Sequence, residues 1–165
     1  MINDIHDLGL VLDSKVKLVV IESWDERRVL ETLTSLAVKR GLGLYTWAVT
    51  EGLQRLGFAA DMSEESASLE PEAALKLIKH DPQPNLYVLC DLHPFLVDNP
   101  KLVRLLKEIA LAEGAHKPTL VLVSHALKLP VEVQRYAARF ALALPSEDEL
   151  LAIVRDEATR WSEAN

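Results

Sequence analysis

The sequence is poor in three residue types that often carry recognisable chemistry, with one cysteine, six glycines and only 5% aromatic residues. The single cysteine, Cys90, can form no disulfide within the chain, and one Cys is too few for a Cys-based zinc site or a CxxC redox motif. No apolar run approaches the roughly 18 residues of a membrane-spanning helix. The opening residues, Met1 to Asp7, are polar and acidic and lack the basic and apolar regions of a secretion signal. A cytoplasmic protein with no membrane partner is therefore expected. Basic charge is also short, at 18 Lys plus Arg against 25 Asp plus Glu, for a net charge of −7. Even the most basic segment, residues 82–145, holds only seven bases to five acids. Nucleic-acid binding thus loses its main electrostatic term, and no nucleic-acid partner is expected. The acidic group Asp61, Glu64, Glu65, Glu70 and Glu72 reads as a solvated loop and helix start, with a basic partner docking there as the alternative.

What the chain does have is apolar residues, 49% of 165. That is enough for one domain burying about two-thirds of its unfolded surface. Ile2, Ile5, Leu8 and Leu12 are spaced for a short helix over residues 1–12. Residues 17–21 (KLVVI), 44–49, 86–91, 119–124 and 140–144 read as five strands. Their continuous apolar runs fit a sheet covered on both faces. Ser23-Trp24-Asp25-Glu26 has the form of a capping box opening a helix that closes at Gly41. Residues 50–69 read as a long irregular connection. Helices are predicted from Pro71, over 100–113 and over about 131–137. Ser146 to Glu149 is a second capping box, opening a helix lined by Leu150, Ile153, Val154 and Trp161.

Strands alternating with helices predict an α/β fold, a three-layer sandwich with a five-stranded, mostly parallel sheet and right-handed crossovers. One domain is expected over 1–165, with its core at about 15–155. In such sheets ligands bind beyond the C-terminal ends of the strands. Those ends hold Glu22 to Asp25, Thr50-Glu51, Asp91 to Pro94 and Ser124-His125. A phosphate loop needs glycines and a lysine after the first strand. Glu22-Ser23-Trp24-Asp25-Glu26 has neither, and its acids would repel a triphosphate. Asp91 resembles a Walker-B aspartate with no phosphate loop to serve, and the bland reading has it capping the next turn. Cys90 reads as a small buried hydrophobe. The histidines show no metal-ligand spacing, so no metal and no cofactor are expected. Glu22, Asp91 and Ser124 also follow the order of acidic and hydroxyl stations in a receiver domain. The lysine that a receiver carries after its fifth strand is missing at Leu144-Pro145.

Four stretches carry a family resemblance: Leu44 to Trp47, Leu89-Cys90-Asp91-Leu92-His93-Pro94-Phe95-Leu96, Ser124 to Pro130, and Leu142 to Leu150. In this order the chain resembles the N-terminal region of the cyanobacterial and algal-plastid AAA+ ATPases named after a hypothetical chloroplast reading frame. The resemblance implies a degenerate, P-loop-NTPase-like AAA+ core placed before a true ATPase module. It implies a non-enzymatic regulatory or protein-interaction domain, with a protein partner such as an adjacent AAA+ module. The expected contact edge comprises Trp24, Asp25, Asp91, His93, Pro94, Phe95, Ser124 and His125, with Trp24 and Phe95 as aromatic anchors. Two other readings stand beside it. One is a degenerate receiver-like signalling module, and the other is an enzyme with an unfamiliar site near Asp91, His93 and Ser124.

Overall fold

The computed structural model describes residues 2–56, 69–142 and 145–164. The acids Asp61, Glu64 and Glu65 and the last two residues of the expected fifth strand lie outside them. Helix α1 (Ile2–Asp13) leads into β1 (Leu18–Glu22), α2 (Glu26–Arg40), β2 (Leu44–Ala48) and β3 (Gly52–Arg55). After α3 (Pro71–His80) come β4 (Leu86–Cys90), a 3₁₀ turn (His93–Leu96), α4 (Pro100–Ala110) and β5 (Thr119–Ser124). Short α5 (Val131–Gln134), β6 (Ala137–Ala141) and α6 (Glu147–Ala164) complete the order.

Six described strands form one sheet in the order β3-β2-β4-β5-β1-β6, and all neighbours are parallel except β2 and β3. Successive side chains of a strand point to opposite faces, and here both faces are apolar. Leu18, Val20, Leu120 and Leu122 pack toward α3, α4 and α5, with Leu75, Ile78, Leu102, Leu106 and Val133. Val19, Ile21, Val121 and Val123 pack toward α1 and α2, with Leu8, Val29, Leu33 and Leu36. This produces the three expected layers and explains why the strands read as unbroken apolar runs. Helix α1 is held by Leu8 and by Arg40, which donates to both carboxylate oxygens of Asp13 (3.0 and 2.8 Å) and to the Gly9 carbonyl.

Three expectations change. Part of the connection after β2 is a sixth strand. The Glu51 N–H donates to the Ala48 carbonyl, and Gly52 takes φ 73°. A turn followed by a left-handed glycine is a common hairpin connection, and Gly52 is its pivot. The cap of α2 is Asp25, whose side chain accepts from the Arg28 N–H, while Ser23 Oγ accepts from the Asp25 N–H. The Ser23–Glu26 box is therefore not formed. The last strand lies three residues earlier than expected, because Arg139 interrupts the apolar pattern. On an edge strand that charge is tolerated, and Arg139 pairs with Glu22 (2.6 Å) and donates to the Leu127 carbonyl. The Ser146–Glu149 box does form, in both directions, at 3.3 and 2.9 Å. The apolar residues of α6 that it opens nonetheless lie exposed.

The strand order also overturns the receiver reading. Numbering only the parallel strands, the first lies between the fourth and the fifth. A receiver places its first strand between the second and the third.

Replacing Asp25 with Ala removes the cap and should lower stability by about 1 kcal/mol in urea unfolding.

Candidate functional site

Both faces of the sheet are covered, so the strand ends are where side chains from several elements can meet solvent together. Beyond the C-terminal ends of the three central strands, β4, β5 and β1, loops bring four expected residues into one chain of contacts. The Trp24 indole, after β1, stacks on the His125 ring, after β5, with centroids 4.5 Å apart and planes at 30°. His125 meets His93, in the 3₁₀ turn after β4, edge-on at 5.9 Å. His93 Nδ1 lies 3.1 Å from Ser124 Oγ, the last residue of β5. Ser124 is buried, at 3% exposure, whereas Trp24 is 87% exposed. Buried at one end and open at the other, the stack presents a large aromatic surface held in place from beneath.

The other expected residues take different roles. Asp25 is committed to capping α2. Its carboxylate sits at the helix N-terminus, the place where a phosphate loop would hold an anion. Glu22 is paired with Arg139. Asp91 adopts φ 54°, a left-handed conformation uncommon outside glycine, asparagine and aspartate. It does not cap the following turn, whose N-cap is Leu92 with no side-chain cap bond. Instead its N–H donates to the Val123 carbonyl, and its side chain is exposed. Pro94 stiffens the start of the 3₁₀ turn. Phe95 turns inward, half-buried against the core, and its ring meets Trp47 edge-on at 6.1 Å. Of the two expected aromatic anchors, Trp24 is the one left facing outward.

The chemistry open to this edge is limited. Cys90 is buried, and burial first, then the negative charge of Glu26, pushes its thiol up to about 12, so it stays protonated near neutral pH. Among the described residues, no group of three His, Cys, Asp or Glu side chains could hold a metal ion. None of the described helices is long and apolar enough to cross a membrane. Sequence reasoning missed the Trp24–His125 stack, although both residues were singled out. Nothing in the spacing of two loops a hundred residues apart says that their rings meet. The parallel pairing of β1 with β5, which aligns Glu22 with Ser124, is what joins them.

Comparison with known proteins places this fold in context. Residues 4–142 match the family described as the SpoVK-like AAA ATPase, N-terminal domain. No curated protein matches the chain. The match agrees with the expected AAA ATPase N-terminal domain and does not extend to the chloroplast reading-frame branch.

The different placements of the two aromatics separate them experimentally. Phe95→Ala should cost about 2–3 kcal/mol, somewhat less than a fully buried phenylalanine. Trp24→Ala should change stability by no more than about 0.5 kcal/mol. Thermal and urea unfolding of both variants measure the contrast.

Proposed function

The chain belongs to the family of SpoVK-like AAA ATPase N-terminal domains, and on that premise we propose that it is a non-catalytic docking domain. It contacts a protein partner, the ATPase module it serves, through the C-terminal edge of the sheet. The observation that carries this reading is Trp24, 87% exposed yet fixed by stacking on His125. An exposed indole held rigid by its neighbours loses little entropy on docking, and tryptophan is among the residues that dominate binding energy at interfaces.

Two further observations support it. The family match over residues 4–142 and the parallel sheet with its first strand between the fourth and fifth both support a scaffold of the ATPase kind. At the edge where an ATPase would cradle phosphates, the turn after β1 holds no glycine and no lysine, and Asp25 occupies the N-terminus of α2. A carboxylate there repels the anion that the position would otherwise attract. On this reading the edge serves for contact and not for phosphate binding.

The His93–Ser124 pair is the one observation that favours an enzyme. A nucleophile needs an accessible oxygen beside its base, and Ser124 is 3% exposed. Among the described residues the hydrogen bond of His93 is to Ser124, and the exposed Asp91 does not complete a triad with it. The hydroxyl instead fixes the imidazole on which the stack rests.

Calorimetric titration of the domain with the ATPase module should show saturable binding that Trp24→Ala weakens about tenfold. Titration with Mg-ATP should show none. Micromolar ATP binding, or undiminished docking by the Trp24 variant, contradicts the proposal.

A further inference from the structure

The opposite edge of the sheet, at the N-terminal ends of the strands, carries a second feature that the docking function does not use. A cavity of about 760 Å³ opens between the α1–β1 connection, the end of α2 and the loop before β5. That volume lies within the usual range for small-molecule sites, about 300–1,000 Å³. Its charge runs against that of the whole molecule. The chain carries a net −7, yet four cations, Lys15, Lys17, Arg40 and Lys117, line this cavity with only Asp13 and Glu113 as acids.

Basic side chains at this edge have an ordinary use, because α1, α2 and α4 end here and helix C-termini carry partial negative charge. Arg40 accounts for that use. It stands in the last turn of α2 and pairs with Asp13, whose carboxyl it holds below the usual range through a hydrogen bond. The three lysines lie outside the helices. Lys17 Nζ reaches across to the backbone carbonyl of Lys117 at 3.4 Å, which ties the two loops together. Neither Lys15 nor Lys117 has a carboxylate partner among the described residues. With Arg40 paired to Asp13, three lysines face one remaining acid, Glu113, and a bound anion offsets that excess of positive charge.

The walls are also held in place. Asn85 accepts from the Gly43 N–H (3.2 Å) and donates to Asp81 (2.9 Å), and Asp81 accepts from the Tyr87 hydroxyl (2.6 Å). Asp81, itself held by Tyr87, thus fixes the Asn85 side chain on this wall, the kind of support that a binding site requires.

We propose that this cavity binds a small polyanion, a molecule bearing two or more phosphate or carboxylate groups, held by Lys15, Lys17 and Lys117. The site lies at the far end of the sheet from the Trp24 edge, so a ligand there would act on the domain without competing with docking. Its failure would leave the docking reading intact.

The test is titration of the isotope-labelled chain with inorganic pyrophosphate and, separately, with citrate, followed through backbone amide signals at low ionic strength. Saturable shifts at Ser14, Gly114 and Thr119 are expected with at least one probe. The tighter probe assigns the ligand chemistry to phosphate or to carboxylate. Combining Lys15→Gln with Lys117→Gln should weaken binding about tenfold, and Lys128→Gln, on another surface, should leave it unchanged. If the double variant melts early, Lys15→Gln alone, at an exposed position, should still weaken binding. Shifts that fail to saturate with both probes overturn the proposal. So does undiminished binding by lysine variants that remain folded.

Discussion

Every other feature of this molecule depends on the burial of its central strands from both sides. All five residues of β4 and all six of β5 are buried, and the first four of β1 with them. A strand covered on both faces has no side chain to spare for solvent, because each residue belongs to one apolar layer or the other. Chemistry is thereby confined to the two edges where the strands end. Those edges differ in kind. At the C-terminal edge the helices begin, and the structure fills α2's start with its own carboxylate. At the N-terminal edge the helices end, and basic side chains gather.

The same constraint explains how much could be read from the amino acids. Buried parallel strands write themselves as continuous runs such as Thr119 to Ser124, so the layers, most of the elements and the strand-end positions were legible. Elements at the margins were not. In β6, Arg139 sits in an edge strand where a charge can reach Glu22, and it breaks the run that would have marked the strand's start. In β3, only Gly52 is buried and the strand runs out to an exposed Arg55, so packing leaves little trace in the residue types. The cap of α2 had two eligible residues, Ser23 and Asp25, within three positions. The choice fell to the one whose carboxylate could reach the Arg28 N–H, which sequence spacing alone does not decide.

The candidate site was legible in part, for a related reason. Sheet topology identifies which loops share an edge, and so Trp24, His93, Ser124 and His125 were all singled out. Which rings touch depends on register. Pairing of Glu22 with Ser124 brings the turn carrying Trp24 beside His125, and pairing of Cys90 with Val123 brings the His93 turn alongside. Phe95 looked equivalent to Trp24 in a list of loop aromatics. It differs because the 3₁₀ turn from His93 to Leu96 directs it toward Trp47 and the core.

In the proposed function the C-terminal edge of the sheet meets a protein partner through the Trp24–His125 stack. Hydrogen exchange of the domain, alone and saturated with the proposed partner, an AAA ATPase module, tests this most directly. Slowed exchange confined to the loops carrying Trp24, His93 and His125 is the predicted result. Protection located elsewhere, with these loops exchanging as fast as in the free domain, would contradict the account.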